Sequence, residues 1–402
     1  MRVQRSVTQI PADWQDRPIV FRNVNIILPD RILHGYQLRT ADGRITAIEP
    51  EDTTDDCIAI DGAGLYLAPG FVDQHSHAGG VWYIDDPAAA VRHNLRHGTT
   101  SQTPTCLLKA TIDEIYADLG VVADYAHSDD PLATAIVAIH MECPYMNSKY
   151  GAQREWSRQP DVEEALRLQE LGRGLIKLWT IAPELNGIVE VCRALRLAAA
   201  DDPPVFLVGH SEASAEEIYA LLPYGLRGAT HCTNATGTRI SPTRFGGTRE
   251  FSVDDAVLLN DNIYAEVIAD SGGYHVRPLM LQLILKVKGV DRVIIITDST
   301  ASDGPPPENL RGQVLDVNFN ANSGLSGSLL TMDRAAANMH RHTGASLTDI
   351  FRMAALNPAT LLGIDFTVGS IAVGKAANLI LVDENIDLHR VWFHGREVTG
   401  IK

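Results

Sequence analysis

Short apolar runs broken by turn signals recur along the whole chain, and their spacing changes twice. Near the start, Pro18-Ile19-Val20-Phe21, Val24-Asn25-Ile26-Ile27-Leu28 and Ile45-Thr46-Ala47-Ile48, the last following Asp42-Gly43-Arg44, predict a small antiparallel β unit. The far end behaves alike, with strands predicted over 377–382 and 391–398 around turns. Between about 69 and 365 the runs alternate with helical stretches. Strands are predicted over 71–77, 135–140, 175–179, 205–210, 263–268 and 292–297, and helices over 161–172, 186–200 and 344–356. Asn357-Pro358 is expected to stop the last helix. Repeated strand–helix units predict a (β/α)8 TIM barrel, and the two β-rich ends predict one small β-sandwich domain formed by both termini. The expected divisions are 1–68, 69–365 and 366–402. No internal repeat or low-complexity tract interrupts them.

Composition narrows the class. The chain has 402 residues, 45% of them hydrophobic and 21% charged, as in an ordinary soluble globular protein. No apolar run reaches the ~18 residues of a membrane-spanning helix. Met1 to Asp16 is polar and mixed in charge, so no secretory leader is expected. The five cysteines (Cys57, Cys106, Cys143, Cys192, Cys232) are scattered and form no Cys-x-x-Cys, which points to reduced thiols in a cytoplasm. A net charge of −16 argues against nucleic-acid and anionic-membrane partners. It leaves room for an anionic small substrate, because one local arginine outweighs a field screened over about 10 Å.

Candidate chemistry gathers at the predicted strand ends. His75 and His77 alternate along one strand and therefore share a face, close enough to hold one metal ion. The ends of the other strands, and the loops just after them, present Glu142, His210, His231, His275 and Asp298. In a barrel, active groups sit at those C-terminal ends. Imidazoles and carboxylates are the ligand set of Zn²⁺, Fe²⁺ and similar divalent ions. Taken singly, each residue has a plainer reading: a solvated loop group, a core histidine bonded to backbone, or an N-cap for Asp298. Together they point to a metal site.

The motifs carrying these residues resemble the N-acetylglucosamine-6-phosphate deacetylase family of the amidohydrolase superfamily. The resemblance runs from about residue 60 to the end. It rests on Pro69-Gly70-Phe71-Val72-Asp73, Glu142-Cys143-Pro144-Tyr145-Met146-Asn147, Ile181-Ala182-Pro183-Glu184 and Gly209-His210-Ser211. Ala229-Thr230-His231-Cys232-Thr233-Asn234-Ala235, Gly247-Thr248-Arg249-Glu250, Ala269-Asp270 with His275-Val276, and Thr297-Asp298-Ser299 continue it. The resemblance implies that Glu142, His210 and His231 hold one metal that activates a water. Some members lack the His-x-His pair; here both are present, so a second ion with Glu142 bridging is chemically open. The implied cofactor is a divalent metal, Zn²⁺ foremost, with Fe²⁺ or another divalent ion next, at one or two ions per subunit. Asp298 is implied as general base and then acid, and His275 as the group that polarises the acetyl carbonyl or holds the sugar. Arg249, in a stretch that also contains Arg239 and Arg244, is implied to bind the 6-phosphate with Asn234 and the Ala235 amide, supplied across a homodimer interface. Gln153 is implied to touch sugar hydroxyls. Two departures stand out: Cys143 replaces the family's usual glycine, and the segment from Asp270 to His275 is longer than usual.

The expected reaction is therefore metal-dependent hydrolysis of N-acetylglucosamine 6-phosphate to glucosamine 6-phosphate and acetate. The same hydrolysis of N-acetylgalactosamine 6-phosphate or of an unphosphorylated N-acyl amino sugar is the alternative. Cyclic-amide hydrolases usually bridge two metals with a modified lysine, for which Lys177 is the one strand-end candidate. A non-catalytic scaffold predicts loss of a ligand or of the base, and neither is lost.

Overall fold

A strand covered on both faces must be apolar at nearly every position. Val293-Ile294-Ile295-Ile296 is buried throughout, and Val205–Val208 and Tyr264–Ile268 are buried past their first residue. These runs form the wall of a ring. The structure is a computed structural model that describes residues 18–52, 58–151, 154–301, 304–313 and 315–398. Eight parallel strands follow one another in chain order: β1 (Phe71–Ser76), β2 (Thr99–Cys106), β3 (Ile139–Met141), β4 (Ile176–Ile181), β5 (Val205–Val208), β6 (Leu226–Ala229), β7 (Tyr264–Ile268) and β8 (Val293–Ile296). The ring closes between β8 and β1. Asp298 N–H donates to the His75 carbonyl at 2.9 Å, and His77 N–H donates to the Ser299 carbonyl at 2.8 Å. Ser76 and Ser299 are bridge partners at the same seam.

Helices return the chain between strands. Val162–Leu171 starts at Asp161, whose side chain accepts from the Glu164 N–H, and Ile188–Ala198 buries Ile188, Val191, Cys192 and Leu195. The chain thus has the (β/α)8 barrel expected of it. Among the described residues, no helix is long and apolar enough to cross a membrane.

The two ends of the chain share a second eight-stranded sheet. Its order runs Arg396–Glu397, Leu388–Phe393, Leu379–Val382, Tyr66–Pro69, Ile19–Ile27, Ile32–Ala41, Arg44–Pro50, with Ile58–Asp61 also pairing Ile19–Ile27. The sheet curls over itself, since Ile45 N–H donates to Lys375 O and Ala377 N–H to Gly43 O. The enclosed core holds Phe21, Ile26, Leu38, Leu67, Leu379 and Trp392, with the Phe21 and Trp392 rings edge to face at 4.8 Å. Gly70 N–H, donating to Asn378 O, ties this unit to the foot of β1.

Three expectations need correction. The strand predicted over 135–140 is shorter and later: Pro131–Ala135 is a 3-10 turn, and only Ile139–Met141 is strand. Asn357-Pro358 does not stop the helix before it. Leu347–Phe351 passes through a π turn at Arg352–Leu356 into Asn357–Leu362, and Asn357 N–H bonds back to Arg352 O. The widened turn puts Pro358 at the start of a new helical segment, where its missing N–H costs nothing. Lys177 lies at the start of β4 rather than its end and pairs with Asp202, so it faces away from the site end.

Candidate active site

The site is built where the strands end. His75 lies in β1 and His77 just beyond it, Glu142 follows β3, His210 and His231 follow β5 and β6, and Asp298 follows β8. Three of these residues sit in the left-handed region, His210 at φ 50°, His231 at φ 32° and Asp298 at φ 47°. Such backbone costs on the order of 1–3 kcal/mol per residue and persists where the surroundings enforce it. Here the twist turns each side chain inward as its strand ends.

Glu142 organises the cluster. Its Oε1 lies 3.0 Å from His210 Nε2 and 3.0 Å from His231 Nε2. Its Oε2 lies 3.1 Å from His75 Nε2 and 3.0 Å from His77 Nε2. Asp298 Oδ1 completes the second group, 3.4 Å from His75 Nε2 and 3.1 Å from His77 Nε2. All six side chains are buried. Two donor sets therefore share one carboxylate: His75, His77, Glu142 and Asp298, and Glu142, His210 and His231.

Electrostatics agree with the geometry. Burial alone would raise the Glu142 carboxyl, yet His75, His210 and His231 hold it well below the usual range. Burial likewise opposes ionisation of Asp298, and His77 and His75 still draw it down. Burial would lower His77, but Asp298 and Glu142 lift it to about 9, and His75 is also lifted well above its ordinary value. These opposite shifts are those of carboxylates and imidazoles paired with one another in a buried space. It is the donor types and their convergence that suit a divalent ion.

The far ring nitrogens are held in place too. His77 Nδ1 faces Thr105 O at 2.9 Å, His231 Nδ1 faces Asn234 O at 3.1 Å, and His75 Nδ1 faces Glu266 Oε2 at 3.2 Å. Gly151, at φ 90°, packs on His210, and a Cβ there would lie 2.6 Å from Nδ1.

The remaining expected residues fall around this centre. His275, on the loop after β7, is gripped by Asp270, which accepts its backbone N–H at 2.8 Å and faces Nδ1 at 3.2 Å. His275 Nε2 is buried with no partner among the described residues, free for a substrate oxygen. The Asp270–His275 segment is held by the same carboxylate, which also accepts from Gly272 and Tyr274 N–H. Asn234 and Ala235 lie on the loop beside His231, Ala235 with a left-handed φ of 53°. Arg249 is apart from the cluster, its side chain 77% exposed and paired with Asp255. Arg239 and Arg244 are paired with Glu217 and Glu250. Gln153 lies outside the described residues. Cys143 is fully buried, and burial pushes its thiol well above the ordinary range, so it packs rather than reacts.

Sequence reasoning passed over three residues that the structure brings in. Glu266 and Asp270 back His75 and His275, and His140 sets its ring edge to face against His75 at 4.6 Å. The signal for Asp270 and His140 was there: each stands a few residues from a selected group.

The amidohydrolase family matches residues 66–398. N-acetylgalactosamine-6-phosphate deacetylase of Escherichia coli O157:H7 is 29% identical over 94% of this chain and 98% of its own length. N-acetylglucosamine-6-phosphate deacetylase of Vibrio furnissii is 31% identical over 92% of this chain and 93% of its own. Among solved structures, N-acetylglucosamine-6-phosphate deacetylase of Pasteurella multocida superposes with a TM-score of 0.80 at 28% identity, covering 94% of this chain and 99% of that one. With the barrel, the shared-carboxylate cluster and these similarities together, the chain belongs to the N-acetylglucosamine-6-phosphate deacetylase family of amidohydrolases.

Proposed function

We propose that this protein hydrolyses the N-acetyl group of N-acetylglucosamine 6-phosphate, releasing acetate and glucosamine 6-phosphate. The observation that carries the reading is Glu142, whose two oxygens face two separate histidine sets at the barrel's C-terminal end. Zinc is the ion we favour, with His210, His231 and Glu142 holding one and His75, His77, Asp298 and Glu142 available to a second. Bound there, a divalent ion supplies Lewis acidity and lowers the pKa of water to about 7.

The chain's own groups then divide the work. Asp298, kept as a carboxylate by its histidine neighbours, takes a proton from the attacking water. The water oxygen bonds to the acetyl carbon, and the C–N bond breaks as the tetrahedral oxyanion collapses. Asp298 returns its proton to the leaving nitrogen. His275 Nε2, aimed by Asp270, contacts the carbonyl oxygen or a sugar hydroxyl. Arg249 is proposed to reach the 6-phosphate of the substrate bound in a partner subunit of a homodimer, exchanging its Asp255 pairing for that anion, with Asn234 and the Ala235 amide helping at the phosphate and Gln153 at the sugar hydroxyls. We also propose a cytoplasmic location and a division into a catalytic barrel, 69–365, and a supporting β domain from 1–68 and 366–402.

A second reading has a specific basis in the relative named for N-acetylgalactosamine 6-phosphate at 29% identity. The test is acetate release from both phosphorylated sugars, each beside its unphosphorylated form, by zinc-loaded wild type and Asp298→Asn. Turnover confined to a phosphorylated sugar and lost in Asp298→Asn is the expected outcome. Faster turnover of the galacto sugar shifts the substrate to that epimer. Equal turnover without phosphate removes the role of Arg249, and no acetate from any sugar overturns the proposal.

A further inference from the structure

Glu266 has an environment that a structural carboxylate rarely occupies. It lies on β7 inside the ring and has no solvent exposure. Its Oε1 accepts from Gln74 Nε2 at 2.6 Å, and its Oε2 faces His75 Nδ1 at 3.2 Å and the His231 N–H at 3.4 Å. Its ion-pair partner among the described residues is His75. A carboxylate buried this completely is costly without a compensating positive charge. His75 is the group placed to bring it, directly across the 3.2 Å contact or through an ion held at its Nε2.

We propose that Glu266 is a positioning residue that makes the His75–His77–Asp298 position a second metal site, and that this protein carries two ions because of it. The inference rests on the metal-hydrolase reading above. By accepting the Nδ1 proton, Glu266 leaves the Nε2 lone pair of His75 pointing at Glu142 Oε2 and Asp298 Oδ1, 3.1 Å and 3.4 Å away. Among the described residues, the corresponding nitrogens of His77 and His231 meet neutral backbone carbonyls. A carboxylate partner makes imidazole a stronger donor than a carbonyl does, and losing such a partner commonly costs 10–100-fold in metal affinity. Among the described residues, neither His210 nor His231 has a carboxylate at its outer ring nitrogen, and Glu266 reaches the other position only through the His231 backbone N–H, so the effect falls chiefly on the His75 position. A residue that merely braced β1 against β7 would change stability and leave both affinities alone.

The experiment is titration of the metal-free full-length protein with Co²⁺, read by its visible absorption and by ions bound per chain, for wild type, Glu266→Gln and Glu266→Asp. Wild type should bind two ions. Glu266→Gln should bind the first with unchanged affinity and the second about 10–100-fold more weakly. Glu266→Asp, which keeps the charge but withdraws it from Nδ1, should fall between them and guards against misfolding of the amide variant. Circular dichroism of the metal-free forms checks the fold. Two ions bound equally well by all three proteins would overturn the inference, as would a wild type that binds one. Equal loss of both ions in Glu266→Gln would also overturn it, because the effect would not be confined to the His75 position. A correctly folded wild type that takes up no ion would instead overturn the metal-hydrolase reading itself.

Discussion

At Gly151 one methyl group decides whether an ion ligand keeps its place. A Cβ there would stand 2.6 Å from His210 Nδ1, on backbone at φ 90° that L residues rarely adopt. Gly151→Ala should cut activity by about 10-fold or more, as a ligand displaced by a fraction of an ångström loses its alignment. Acetate release beside metal content checks it, and a fully active, fully loaded variant would refute it. His77 makes a second prediction at this scale. In the metal-free protein its pKa stands at about 9, above the ordinary 6.5, so its ion pairs stabilise the fold fully below pH 6.5 and are lost as pH rises through 9. Ions compete for the same nitrogen, so loading at pH 7 should release protons into a weak buffer, and the melting-point gain on loading should grow from pH 6.5 to 9. Uptake without proton release would contradict this. The donor residues were legible because histidines and acids at the ends of apolar strands are conspicuous. Glu266 was not: an acid within Tyr264–Ile268 reads as a solvent-facing position until the ring is known to be closed.

The elements repeat that contrast. β2, Thr99-Thr100-Ser101-Gln102-Thr103-Pro104-Thr105-Cys106, is buried at every position yet carries no apolar run, and no strand was predicted there. Its hydroxyls and amide serve the polar interior instead: Thr105 accepts from the Ser76 N–H, and Gln102 accepts from Asn94. β6 was missed because Leu226-Arg227-Gly228-Ala229 is short and mixed. Apart from β1, whose buried polar residues follow an apolar start, the barrel strands that were read correctly are those whose burial is mainly apolar. The π turn invites a test, because buried Asn357 donates to both Val290 O and Val293 O at 2.7 Å. Asn357→Ala strands those carbonyls and should destabilise the protein by about 1–3 kcal/mol in denaturant unfolding; an unchanged midpoint would mean water replaces the amide. His394 links the terminal sheet to Thr134 of the barrel, and burial with nearby Arg44 pushes its pKa down to about 4. The unfolded chain takes that proton near pH 6.5, so the contribution of a neutral His394 is whole above 6.5 and fades as pH falls to 4. The loss is about 3 kcal/mol. His394→Asn, which tolerates the local φ of 48°, should flatten that stretch of the stability profile.

Across the whole molecule, the chain's two ends and its middle answer to different rules. The terminal sheet has its own apolar core and was read from strand patterns alone, whereas the barrel's active end had to be assembled from loops far apart in sequence. Charge acts at this scale as well. A net charge of −16 disfavours compaction, and a centre with Glu142, Asp298 and Glu266 in one buried space concentrates the difficulty. Removing divalent ions with a chelator should therefore lower the melting temperature, and Zn²⁺ should restore it; identical melts with and without chelator would count against ion binding to the folded state. The seam between β8 and β1 carries one more consequence. Its bonds come from His75, His77, Asp298 and Ser299, and the Ser76 and Ser299 hydroxyls meet there at 2.8 Å across 223 residues of chain. Closing so long a loop comes late in folding, since its entropy is lost before its contacts form. The last stitch of the ring and the ion ligands are the same residues, so ion capture is a clock for completion of the topology. In refolding followed with a zinc-sensitive dye, uptake should lag the return of helical signal, and coincident traces would show a site that forms before the ring is shut.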